Sequence, residues 1–119
     1  MKHVNEVTLI GHVGKDININ EIGKGEKCAN FSVATSNGWK DKETGEWINF
    51  TEWHKVVVFN QVLVTLCEST LKTGMLVYIR GELKTREWKR KDGNDTKVTE
   101  IVLKNFKGEL GILEKMTKA

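Results

Sequence analysis

Residues 51–59 read Thr-Glu-Trp-His-Lys-Val-Val-Val-Phe. Alternation with a period of two places Trp53, Lys55, Val57 and Phe59 on one face of a strand, and Glu52, His54, Val56 and Val58 on the other. Two large rings bracketing a cation suit a surface that stacks nucleobases and holds a phosphate between them. The same pattern also fits two half-buried core aromatics beside an exposed lysine, and this strand alone does not separate the readings. Recurrence shifts the balance. Trp39 is followed by Lys40-Asp41-Lys42, and Trp88 sits inside Lys84-Thr-Arg-Glu-Trp-Lys-Arg-Lys91, a run with five basic residues and one acidic residue. With charged neighbours on both sides of Trp88 and directly after Trp39, these rings read as exposed.

Charged residues make up 29% of the 119-residue chain and the hydrophobic set 39%, as expected of one ordinary globular domain. The net charge of +3 says less than its distribution. The basic run around Trp88 has no accompanying apolar stripe, which disfavours a membrane-surface helix and favours nucleic acid. No apolar run approaches the roughly 20 residues needed to cross a bilayer, and residues 1–6 do not lead into a signal-type hydrophobic region. A soluble, reducing interior is the expected compartment. Cys28 and Cys67 lie within apolar-patterned stretches and lack a Cys-x-x-Cys spacing, so both read as buried thiols. His3, His12 and His54 are scattered, and most carboxylates stand alone among lysines. No catalytic residue, metal site or cofactor is expected.

The elements that must position these residues are mostly short, alternating strands. Residues 4–13 read as a first strand with Val7, Leu9, Gly11 and Val13 on one face. A loop or short hairpin covers 18–27, and a second strand covers 28–36 with Ala29, Phe31 and Val33 turned inward. Residues 37–47 are polar and contain Gly38 and Gly45, so they are expected to form an exposed hairpin loop carrying Trp39 and Trp47. A third strand runs over 48–59. Residues 61–71 change to helical spacing through Val62, Leu63, Leu66, Cys67 and Leu71, with Gly74 able to end the helix. A fourth strand covers 75–83. Residues 84–99 form a long two-stranded arm turning at Asp92-Gly93, a fifth strand covers 99–103, and a short final strand covers 106–113. Five strands with one helix between the third and fourth is the order of an OB-fold barrel, all-β with a long β-hairpin arm.

Each base stacked on an aromatic contributes roughly 1–3 kcal/mol with little dependence on base identity. Three or four such platforms along a basic groove would bind tightly without sequence preference. Single strands are favoured because a duplex hides its base faces. Duplex reading would need a helix presenting polar residues to a groove, and the single expected helix is apolar enough to be a barrel plug.

Taken in order, Val4-Asn5 with Gly11-His-Val-Gly14, Ala29-Asn-Phe-Ser-Val-Ala-Thr-Ser36, Trp39-Lys-Asp-Lys-Glu-Thr-Gly45, the 51–59 strand, Val77-Tyr-Ile-Arg-Gly81 and Leu83-Lys-Thr-Arg-Glu-Trp88 resemble the OB-fold domain of the bacterial and mitochondrial single-stranded DNA-binding proteins. The resemblance spans nearly the whole chain, giving an expected domain of residues 1–113 with a short end at 114–119. It implies stacking by Trp39, Trp53, Phe59 and Trp88, phosphate contacts by Lys55, Lys84 and Arg86, and weaker ones by Lys40, Lys42 and Lys72. It also implies a homotetramer, with a dimer as fallback, in which Val4, Asn5, His54, Leu76 and Tyr78 lie at or near subunit contacts. From the residues alone His54 reads rather as a satisfied inward histidine.

Some positions depart from the resemblance. Glu6 and Glu87 stand where many relatives are basic, Asn60-Gln61 lacks a common nearby lysine, and His12 and Leu76 replace usual polar residues. The end, Glu114-Lys-Met-Thr-Lys-Ala119, is not the acidic tip that recruits replication and repair proteins in bacterial members. By the resemblance the chain is expected in the bacterial cytoplasm, associated with the nucleoid, and active in DNA replication, recombination and repair as a non-enzymatic protein. The alternative is an OB-fold adaptor of the primosomal or RNA-binding kind.

Overall fold

The computed structural model describes residues 3–105 and 107–114, without the side chain of Trp88. Its strands are β1 (Val7–Val13), β2 (Asn18–Gly23), β3 (Glu26–Lys40), β4 (Trp47–Val58), β5 (Leu76–Lys89), β6 (Asp95–Leu103) and β7 (Glu109–Glu114), with α1 (Gln61–Ser69) between β4 and β5. Five of them close a ring in the order β1-β3-β4-β6-β5 and back to β1, while β2 adds to β3 and β7 to β5. The β4–β6 contact is parallel and short, Val56–Val58 against Ile101–Leu103. The other pairings are antiparallel. The ring, with α1 between β4 and β5 in the chain, is the OB architecture that the strand count implied.

Period-2 alternation explains the core. Val13, Ala29, Phe31, Val33, Val56, Val58, Val77, Ile79, Ile101 and Leu103 all point into the ring. β-Branched residues dominate this set because they fit a pleated, buried surface. Val64 and Cys67 of α1, with Leu71 and Met75 after it, close one end of the ring. The Asn60 side chain caps α1 by accepting from the Val62 and Leu63 backbone N–H groups, which would otherwise be orphaned. Gln61 fixes the helix start to the sheet: its amide donates to the Lys27 and Phe59 carbonyls and its Oε1 accepts from the Lys27 N–H.

Several boundaries differ from the sequence expectation. The first strand starts at Val7, because Asn5 contributes its side chain instead of its backbone. Asn5 Nδ2 donates to the Leu83 carbonyl at 2.8 Å, and the Leu83 N–H donates to Asn5 Oδ1 at 2.8 Å. The 37–47 stretch is strand at both ends: β3 runs to Lys40, β4 restarts at Trp47, and 41–46 turn between them. Both faces of this hairpin meet solvent, so it lacks the polar–apolar alternation that marks a half-buried strand. Of the two readings for 18–27, a loop or a short hairpin, the structure shows the hairpin: β2 pairs with the start of β3. The helix stops at Ser69, and the Gly74 N–H goes to the Val13 carbonyl of β1. The final strand is Glu109–Glu114; Phe106 and residues 115–119 lie outside the described residues. The arm turns where Asp92-Gly93 placed it, with the Arg90 N–H bonded to the Asn94 carbonyl and Gly93 at φ 88°.

Both thiols are free and buried, as expected. Burial pushes the Cys67 thiol up from 9.0 to about 11, since desolvation disfavours the thiolate. The stability linked to this thiol is therefore complete below pH 9 and is lost as the pH rises to about 11, because only the unfolded chain ionises readily there. Cys67 should resist alkylation by iodoacetamide at pH 8 in the folded protein and react once the protein is unfolded. Rapid native-state labelling, read by mass spectrometry, would contradict this.

Candidate nucleic-acid interface

β3 and β4 pair without a bulge from Ala29–Val58 to Lys40–Trp47, so face assignments carry along the whole hairpin. Pairing Ala34 with Trp53, Ser32 with Lys55 and Asn30 with Val57 puts these residues on the outer face of the ring. The inward face of the same segment holds Val33 opposite His54 and Phe31 opposite Val56. Trp53 is 61% exposed, although it is a large ring in the middle of a strand next to the core. The reason is Gly14. A Cβ at that position would stand 2.5 Å from the indole, so the ring lies directly on the Gly14 backbone. The loop after α1 braces this seat: Thr73 Oγ1 donates to the Gly14 carbonyl at 3.0 Å. Lys72, exposed in that loop, thus stands on the segment that supports Trp53.

Beyond the short parallel contact, β4 and β6 diverge, and the two hairpin arms leave an open cleft of about 580 Å³ between them. Trp53, His54 and Lys55 form one bank; Arg90, Thr96, Lys97 and Val98 belong to the other, with Glu100 and Ile101 in the lining. A smaller depression of about 170 Å³ continues past Lys55 toward Asn30, Asn18 and Asp16. Across β6, Lys84 and Arg86 of β5 pair with Glu100 and Val98. Trp53, Lys55, Lys84 and Arg86 therefore share one outer surface made of adjacent strands. Phe59, 37% exposed, sits just past the end of β4 with its N–H bonded to the Leu103 carbonyl. Trp88 occupies a β5 position opposite Thr96; its side chain lies outside the described residues.

The remaining expected residues divide. Lys40 pairs with Trp47 on the face of Trp53, and Lys42 is in the hairpin turn. Trp39 does not join them. It pairs with Ile48 on the reverse face, where Asn37 pairs with Phe50, and Trp39, Ile48 and Phe50 are all exposed. Among the residues expected at subunit contacts, Leu76 and Tyr78 pair with His12 and Ile10 on the outer face of β5 and β1. Val4 is exposed and Asn5 is held within the chain by Leu83. His54 is half-buried, with its Nε2 2.9 Å from Thr35 Oγ1, the satisfied inward histidine that the sequence suggested.

Two residues of this surface were not picked out as site candidates from the sequence. Glu100 is buried at 8% exposure, and Arg86 binds it through Nε at 2.8 Å and a terminal nitrogen at 3.4 Å. This bond and the charge of Glu100 raise the Arg86 pKa above its ordinary value, keeping it cationic. A lone Glu before Ile-Val-Leu was the available signal. The other is Trp47, 63% exposed on the face of Trp53. Among the described residues, Lys40, Lys42, Lys55, Lys72 and Lys84 make no ion pair, whereas Glu6 and Glu109 face Arg80, Glu82 faces Lys104 and Glu87 faces Lys97. No three His, Cys, Asp or Glu side chains among the described residues converge on a metal position.

The model of the single-strand binding protein family matches residues 4–108. The single-stranded DNA-binding proteins of Rickettsia typhi and Rickettsia prowazekii are each 43% identical over 111 residues, covering 93% of this chain and 73% of theirs. A solved structure of the Plasmodium falciparum protein of this family in complex with single-stranded DNA superposes with a TM-score of 0.86 at 38% identity, covering 96% of this chain and 98% of that one. The mitochondrial single-stranded DNA-binding protein of S. cerevisiae shares the fold, with a TM-score of 0.65 at 17% identity and 95% and 98% coverage.

The Glu100 pair makes a stability prediction. Arg86→Ala leaves a buried carboxylate without its partner and should destabilise the fold by about 1–3 kcal/mol, seen as a lower urea midpoint. Lys84→Ala, two residues along the strand and without an ion pair among the described residues, should stay within about 0.5 kcal/mol. Equal midpoints for the two variants would remove the structural role assigned to Arg86.

Proposed function

The chain belongs to the single-strand binding protein family, and on that footing we infer that it binds single-stranded DNA without sequence preference along the outer face of β4, β6 and β5. The observation that carries this is Trp53, seated with an indole edge against Gly14 beside Lys55 at the mouth of an open cleft. A ring fixed in this way presents its free face to a base at little further entropic cost. Lys55, Lys84 and Arg86 supply phosphate contacts, Lys40, Lys42 and Lys72 weaker ones, and Phe59 and Trp88 further stacks. Trp39 is reached only by a strand that crosses the hairpin edge to its reverse face. A duplex is disfavoured because α1 spends its apolar side, Val64 and Cys67, on closing the ring.

The reading extends to coating of exposed strands during replication, recombination and repair in the bacterial cytoplasm, by a protein without catalytic activity, as one domain over residues 1–113. No described helix is long and apolar enough to cross a membrane. A homotetramer, with a dimer as fallback, fits the edge of β1: its pairing with β3 covers only His12 and Val13. Nearby Ile10 is 55% exposed and Val4 90%.

Titration with oligo-dT at low salt should quench the intrinsic tryptophan emission, and an unchanged spectrum with no anisotropy change of labelled oligo-dT would sink the reading. Trp53→Ala should weaken binding by about 1–3 kcal/mol, with the unfolding midpoint kept. Lys55→Ala should weaken binding evenly across sequences and lower the slope of log affinity against log salt by about 1. Competition between poly(U) and oligo-dT distinguishes an RNA-binding adaptor from a DNA-coating protein.

A further inference from the structure

We propose that Trp47 is an additional nucleobase-stacking residue, extending the track for a single strand from the cleft along the outer face of the β3–β4 hairpin. The inference rests on the single-strand reading above. Trp47 reproduces the arrangement of Trp53 point by point. Both belong to β4, six residues apart, an even spacing that sets them on the same face. Each lies on a glycine: a Cβ on Gly38 would come within 2.7 Å of the Trp47 indole, as one on Gly14 would meet Trp53. Both stay more than 60% exposed. The Trp47 indole N–H donates to Asn49 Oδ1, which restrains the ring.

The floor between the two rings suits a passing chain. On this face β3 contributes only Ala34, Ser36 and Gly38, and β4 contributes Thr51 and Asn49. Ser36 and Thr51 bond to one another at 3.2 Å, and none of these side chains rises above the indoles. Lys40 pairs with Trp47 at the far end, and Lys55 follows Trp53 on the same face at the near end. At about 3.3 Å per residue the rings are roughly 20 Å apart, so they contact different nucleotides. A core role for Trp47 is excluded by its exposure, and no hydrophobic side chain of β3 faces it.

The test uses the chain with Trp39, Trp53 and Trp88 changed to Phe, leaving Trp47 as the sole indole. Binding of labelled oligo-dT is followed by anisotropy and Trp47 emission is read in parallel. Quenching that tracks binding is the expected result. Binding with unchanged emission overturns the inference and leaves the single-strand reading standing, whereas absence of oligo-dT binding by the unmodified chain removes both. If the three-Phe chain itself binds nothing, Trp47→Ala and Trp47→Phe in the unmodified chain decide. The Ala variant should lose about five-fold or more in affinity for a long oligo-dT and the Phe variant should keep most of it. Unaltered affinity in the Ala variant overturns the inference.

Discussion

An unbroken register between β3 and β4 is the constraint on which the rest of the structure depends. Within the ring it sends Phe31, Val33, Val56 and Val58 inward, and the same parity sends Trp53 and Lys55 outward. Core and interface are therefore two faces of the same residues' alternation. A one-residue slip would bury Lys55 and expose the valines together, so the stability of the ring enforces the placement of the binding groups. The hairpin beyond the ring has no core to hold it, yet it inherits this parity through continuous backbone pairing.

A second constraint is space. An indole on the outer face of a sheet normally leans on the side chains of neighbouring strands, which cover part of it. At Gly14 and Gly38 there is no side chain, and each ring settles onto backbone instead. This seats an edge of each ring against backbone and leaves both tryptophans more than 60% exposed. Rotamer freedom is largely lost on folding rather than on binding, so more of each stacking contact appears as affinity. Since every base has a π-face, rigid rings placed this way give binding that is indifferent to sequence.

These two constraints also mark how much could be read beforehand. The inward sets of β1, β3 and β4 and the helix from Gln61, expected to 71 and ending at Ser69, were legible because burial imprints a period on the sequence, and the Asp92-Gly93 turn because Gly93 accepts a positive φ. The outer strands of the hairpin were not, because from Asn37 and Gly38 onward both faces meet solvent and the sequence looks like a loop. Glycine seats are invisible for a related reason: which residue lies beneath Trp53 depends on a contact between β1 and β4, distant in sequence. Trp39 shows the limit of reading exposure from charged neighbours. Its neighbours correctly implied an exposed ring, but only the register with Ile48 reveals that it faces away from Trp53.

Charge placement completes the surface. The chain has only a small net excess of basic residues, so a cationic face must come from local arrangement rather than from overall charge. Glu6, Glu109 and Glu82 are matched away from the cleft by Arg80 and Lys104, and Glu87 is matched by Lys97 on the cleft bank. Glu100 is the exception, a carboxylate on the outer face among the cations. Its burial and its two bonds to Arg86 hold it below the surface. Arg86 can do this and still serve a phosphate, since a guanidinium has five donors in a planar fork and Glu100 uses only one side of it. The carboxylate thus orients the arginine, while Lys55 and Lys84 on the same outer surface make no ion pair among the described residues.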